Sequence, residues 1–329
     1  MKARRVWATG LTALAMCLAA QAQEFKFATQ NPKGHPLVAG MERFAEIVAA
    51  RSGGKMKVNL FPGGVLGSDQ ANVSSLQGGT LDMVVLNSGI LASQAKEFGV
   101  YDFPFMFANP EEADAVVDGP FGKMMHERLR AKGIVGLAYW ELGFRDITNS
   151  RYPINSVQDI AGLKLRVIPN TINVDWVKAL GANPTPLPFP EVYAALDQKA
   201  IDGQENPVTV ISANKFYEVQ KYIVLSHHQY NPQSLIFSAK VWDTLGAANQ
   251  KILADAAVEA GKYQRQVSRA AAGGALDNLK KNGMQVTELS PAELAKFRDA
   301  MKSVVAKHSE IVGSEVVKAL EAELAKLRK

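Results

Sequence analysis

Residues 247–281 run for thirty-five positions without a proline and are rich in Ala, Lys, Glu and Gln. That composition favours one continuous helix about 50 Å long by the helical rise. A helix of that length can span two domains, so it constrains the fold more than any other stretch. Gly273-Gly274 is its weak point, where a kink is expected. Upstream, strand and helix signals alternate. Phe25-Lys26-Phe27, Lys57-Val58-Asn59-Leu60, Leu81 to Leu86, Ile134 to Tyr139 and Leu163 to Val167 read as strands. Helices are predicted from Pro36 to the stop at Gly53-Gly54, after Asp69 as a cap, after Asn109-Pro110, over 171–180 and over 190–196. Ser290-Pro291-Ala292-Glu293 is a capping box that opens the last helical region. This order predicts α/β layers with mainly parallel strand pairing. The pattern Leu76 to Asp82 returns as Leu196 to Asp202, each joining a helix to a strand, as two similar halves would require.

The N-terminus reads as an address. Lys2, Arg4 and Arg5 precede an uncharged, Ala-rich stretch that ends in Ala20-Gln21-Ala22, so residues 1–22 are a predicted secretory signal peptide cleaved after Ala22. The apolar stretch is short for a membrane anchor. Cys17 follows the large Met16, which argues against lipidation. Cleavage lowers the formal charge from +5 to +2 and removes the single cysteine, so neither a disulfide framework nor a thiol nucleophile is available. The mature chain has no other long apolar run and is predicted not to be membrane-embedded.

Catalytic motifs are absent from the sequence. There is no P-loop, no G-x-G-x-x-G after a strand and no G-x-S-x-G. His35, His126, His227, His228 and His308 form no H-E-x-x-H, and the adjacent pair His227-His228 would point to opposite sides of a strand. No metal site and no cofactor is predicted. Basic residues are scattered among acidic ones, which argues against nucleic acid as a partner. Two arginines stand out. Arg166 shares a strand face with Lys164 and Ile168, opposite Leu163, Leu165 and Val167, and Arg145 sits in Gly143-Phe144-Arg145. By residue type alone they are either ordinary surface arginines or two guanidinium groups that grip an anion in a cleft, the planar fork matching a carboxylate. Gly203-Gln204-Glu205-Asn206-Pro207 places polar groups at the C-terminal end of a strand, where open α/β sheets bind ligands, although a polar turn would read the same way.

Four stretches together carry a resemblance: Gly162-Leu163-Lys164-Leu165-Arg166-Val167, Leu180 to Pro186, Glu191 to Leu196 and Ile201 to Pro207. Over essentially the whole mature chain the sequence resembles the DctP-type solute-binding proteins of tripartite ATP-independent periplasmic (TRAP) transporters. The resemblance implies a two-domain, periplasmic-binding-protein-like α/β fold with an interdomain ligand cleft and a long domain-spanning helix. It puts residues 23–142 plus 232–271 in one domain and 143–231 plus 272–329 in the other. It implies a periplasmic monomer that is not an enzyme, that binds a small organic acid and that delivers it to small and large membrane subunits. It assigns Arg166 the main salt bridge to the ligand carboxylate, with Arg145 and Asn206 assisting and Phe189 packing on the ligand. Gln30, Asn87 and Trp140 are expected to line the cleft from the first domain, and His35, Tyr230 and Gln233 are further candidates. The expected ligand is a monocarboxylate: a hydroxy or keto acid, aromatic ones included, or a sugar acid. A secreted α/β enzyme acting on a carboxylate, or a periplasmic sensor or scaffold module, would share the fold but would show turnover or no small-molecule response.

Overall fold

The structure, a computed structural model, describes residues 22–328, so the predicted leader and Cys17 fall outside the described residues. The first half opens with β1 (Gln23–Ala28), α1 (Pro36–Arg51), β2 (Met56–Phe61), α2 (Asp69–Gly78) and β3 (Met83–Asn87). Helices α3 (Pro110–Asp118) and α4 (Pro120–Arg128) then lead into the long strand β4 (Ile134–Asn149). The second half repeats the theme: β5 (Lys164–Val167), α5 (Thr171–Ala179), β6 (Asn183–Pro186), α6 (Val192–Asp197), β7 (Gly203–Asn206) and α7 (Val208–Ala213). A second long strand, β8 (Tyr222–Ser238), leads through α8 (Ala239–Trp242) into α9 (Ala247–Lys281). β9 (Gln285–Glu288), α10 (Pro291–Val312) and α11 (Ser314–Leu327) complete the chain. Among the described residues no helix is long and apolar enough to cross a membrane.

The nine strands among the described residues join one sheet in the order β2-β1-β3-β8-β4-β7-β5-β6, with β9 beside β8. Pairing is parallel within β2-β1-β3 and within β7-β5-β6, as the alternation predicts. The centre differs: β8 runs antiparallel to both β3 and β4, and β4 antiparallel to β7. β4 runs ten residues past its sequence signal at Ile134 to Tyr139, and β8 was not expected from the sequence; each crosses from one half to the other. The β4–β8 register slips at Gly136/Ala138, Glu141/Gly143 and Arg145/Ile147, and such bulges bend a strand where a straight ladder could not continue.

The halves mirror each other in detail. Asp82 accepts the backbone N–H of Lys26 at 2.7 Å, and Asp202 accepts that of Lys164 at 2.9 Å. The repeated heptapeptide is therefore a structural staple that ties the loop before β3 or β7 to the first strand of its half.

Helix α9 has the predicted bounds and continues through Gly273-Gly274. Leu253, Ala256, Ala257 and Ala260 pack in the core of the first half with Phe27, Phe44 and Trp140, while Leu279 belongs to a separate cluster with Val192, Ile211 and Phe216. The helix thus connects two cores. Two caps depart from the sequence reading. Ser68, not Asp69, caps α2, its hydroxyl accepting from the Ala71 N–H. At α10, Ser290 accepts the Glu293 N–H, but the Glu293 carboxylate reaches Val157 N–H at 2.8 Å, so one side chain fastens two segments.

Candidate functional site

A partly open cavity lies where β1, β3, β5 and β7 end toward the crossing strands. Its wall includes Gln30, Asn87, Arg145, Arg166, Phe189, Asn206 and Gln233, and also Asp69, the predicted cap of α2. Arg166 reaches it because β5 alternates: Leu165 and Val167 are fully buried in the core, which turns Arg166 to the other face. The Arg166 Nε and Nη2 donate to the Leu187 carbonyl at 2.9 and 2.7 Å, which fixes one edge of the guanidinium, and the Phe189 ring lies 5.8 Å from its central carbon. Arg166 is 2% exposed and forms no ion pair among the described residues. Burial lowers its pKa to about 10 against the nearby Glu205 and Asp69 charges, so it stays cationic at neutral pH.

Arg145 behaves differently. Its Nε bonds the Glu205 carboxylate, its Nη2 bonds both the Glu205 carbonyl and Glu205 Oε1, the latter at 2.8 Å, and its Nη1 donates to Asn231 Oδ1 at 2.6 Å. Burial opposes the charge on Glu205, but Arg145 and His228 hold its carboxyl well below the usual range. The expected second carboxylate clamp is therefore largely occupied by an acid of the chain itself, which composition could not reveal. From Asn231 the network continues to Asp102, which also receives bonds from Asn170 and, at 3.0 Å, Asn173. Burial pushes Asp102 up to about 6.

Three sequence candidates lie away from this cavity. Trp140 is fully buried in the core, its indole N–H bonded to the Ala257 carbonyl at 3.0 Å and its ring against Gly40 and Gly261. His35 caps α1 through Nδ1, which accepts the Leu37 N–H at 3.1 Å. Tyr230 donates its hydroxyl to Glu141 and lines a separate cavity with Phe144 and Leu276. Apolar alternation explains all three: each sits where a strand or helix start meets packed neighbours, and an aromatic or histidine there looks the same in sequence as a cleft residue. Asp69 carried a usable signal, since it follows a glycine-rich loop after β2, at the C-terminal edge of the sheet where ligands bind.

Residues 27–310 match the sequence model of the family described as bacterial extracellular solute-binding protein, family 7 (DctP). The chain belongs to the DctP family. A TRAP periplasmic solute-binding protein from Ochrobactrum anthropi is 53% identical, with a TM-score of 0.84 over 93% of this chain and 96% of that one. The sugar acid binding protein DctPAm from Advenella mimigardefordensis, solved with galactonate, is 40% identical, with a TM-score of 0.91 over 93% of this chain and 98% of that one. The 2,3-diketo-L-gulonate-binding periplasmic protein YiaO of Escherichia coli is 36% identical over 88% of this chain and 87% of its own length. This DctP-family chain has the two-domain α/β architecture of the solved neighbours, and its cavity is lined from both mirrored halves.

Proposed function

We propose that this protein is the periplasmic solute-binding subunit of a TRAP transporter and that it captures a small hydroxy or keto monocarboxylate, such as a sugar acid, without transforming it. One observation carries this reading: Arg166 is a buried cation with no carboxylate partner in the described chain, and its Nη1 makes no hydrogen bond to the chain. An unpaired buried charge is costly, and a bound carboxylate offsets that cost through charge-assisted hydrogen bonds. Galactonate and 2,3-diketo-L-gulonate, named for two relatives, are both monocarboxylates rich in oxygen. The amides of Gln30, Asn87, Asn206 and Gln233 suit such oxygens.

Residues 23–142 plus 232–271 would close on 143–231 plus 272–329 about the bulged crossings of β4 and β8. A ligand touching both favours the closed form by its differential affinity, and the closed monomer is then read by the small and large membrane subunits. A thermal-unfolding screen against organic acids, with chemical analysis of each acid afterwards, tests the reading. A monocarboxylate at 100 times its Kd adds about 2.7 kcal/mol of stability and is recovered unchanged. Stabilisation by no acid, or recovery of a product, overturns it.

A further inference from the structure

We propose that Asp69 sets the specificity of this cavity: it pairs with hydroxyl groups of a monocarboxylate whose acid end sits on Arg166, and it excludes acids that carry a second carboxylate. The inference rests on the solute-binding reading above and narrows it to polyhydroxy monoacids.

Among the described residues, three ionisable side chains line the cavity: Asp69, Arg145 and Arg166. Glu205 neutralises Arg145 from behind. What faces the ligand is therefore one cation and one acid. A first carboxylate has Arg166. A second has no unmatched cation among the lining residues and would meet the Asp69 oxygens instead.

Asp69 is not spent on capping its helix. It is the first residue of α2, yet Ser68 does the capping. Its Oδ1 is buried and has no hydrogen-bond partner in the described chain. Two more buried atoms on lining residues share that condition, Gln30 Oε1 and Gln233 Nε2. Two acceptors and one donor match hydroxyl groups, which both donate and accept, better than they match an alkyl chain. Burial pushes the Asp69 carboxyl up to about 7 in spite of the Arg166 charge and the Gln30 side chain. Near neutrality it thus exchanges between an acceptor form and a donor form. Either form partners a hydroxyl, whereas an anionic Asp69 repels a carboxylate.

The test uses acids matched in carbon chain and differing in one end: D-galactonate with galactarate, D-gluconate with D-glucarate, and D-erythronate with meso-tartrate, plus hexanoate as the acid without hydroxyls. Titration calorimetry on the wild-type protein should show at least tenfold tighter binding of one or more of the monoacids than of its diacid and of hexanoate. In Asp69→Asn the monoacid-to-diacid ratio should narrow at least tenfold, and Asp69→Ser should show the same trend. Thermal unfolding without ligand checks that both variants fold, and the wild-type ratios stand without them. A wild-type preference for diacids or for hexanoate, or an unchanged ratio in folded variants, overturns the role of Asp69 while leaving solute binding intact. A wild-type protein that holds no acid in the wider thermal screen overturns the solute-binding reading itself, and this proposal with it.

Discussion

Arg145 and Glu205 form a buried pair, 1% and 0% exposed, in which one guanidinium bonds both the carboxylate and the backbone carbonyl of the same residue. Arg145 lines the cavity with Glu205 behind it, and the pair joins β4 to β7 across an antiparallel ladder. Removing one member leaves the other as an uncompensated buried charge, which costs roughly 3–5 kcal/mol. Glu205→Gln keeps the shape and removes the charge, so its thermal midpoint should fall by several degrees. An organic acid that reaches the freed Arg145 should recover part of that loss. A midpoint equal to wild type would show that Arg145 finds another counter-charge.

Arg166 keeps one edge on Leu187 and lines the cavity with Nη1 making no hydrogen bond to the described chain, so the planar fork is held before any ligand arrives. Lysine would keep the charge but lose the fork, the two bonds to Leu187 and the packing over Phe189. With charge-assisted hydrogen bonds contributing about 1.5–3 kcal/mol each, Arg166→Lys should weaken the bound acid at least tenfold in titration calorimetry. An unchanged Kd would remove Arg166 from the site.

What could be read in advance follows from range. The bounds of α9 were legible because propensity accumulates over a long helix, and Asn109 and Ser290 were legible as caps because a cap is local. Arg166 stood out because β alternation assigns its face from neighbours two positions away. The pairing of Arg145 with Glu205 joins residues sixty positions apart, and the length of β4 and β8 depends on partners farther still. Trp140 shows the limit most clearly. Its neighbours Gly40 and Gly261 lie on α1 and α9, and a core tryptophan packed on distant glycines has the same sequence signature as one lining a cleft.

Gly64 adopts φ +70°, and a Cβ there would come within 2.8 Å of Gln30 Oε1. The loop thus requires glycine twice, once for the left-handed backbone and once for the close approach of a cavity side chain. Gly64→Ala should lower stability by about 1 kcal/mol from the backbone alone and should displace Gln30. Ligand affinity should fall together with stability. Gly53→Ala is the control, with φ +61° and no atom within 4 Å of the new Cβ: it should lose stability without losing affinity. Equal ligand affinities in the two variants would show that Gln30 does not depend on this loop.

His35 gives the fold a dependence on acid. It is 1% exposed, its Nδ1 caps α1, and burial lowers its pKa from 6.5 to about 3. The unfolded chain therefore takes up a proton near pH 6.5 that the folded chain refuses until about pH 3. Stability from this group is complete above about pH 6.5 and falls as the pH drops through that window, by about 1.4 kcal/mol per pH unit. Asn is a strong helix cap, so His35→Asn retains an acceptor for Leu37 N–H and removes the titration. The smaller side chain should lower stability at pH 7. That deficit should shrink steadily as the pH is lowered toward 4, because wild type loses stability that the variant does not have. Comparing wild type with variant cancels the opposite contribution of Asp69, whose raised pKa favours the folded state at low pH. Urea unfolding of both proteins at half-unit intervals from pH 4 to 7.5 gives the measurement, and parallel stability curves would show that the folded state accepts a proton on His35.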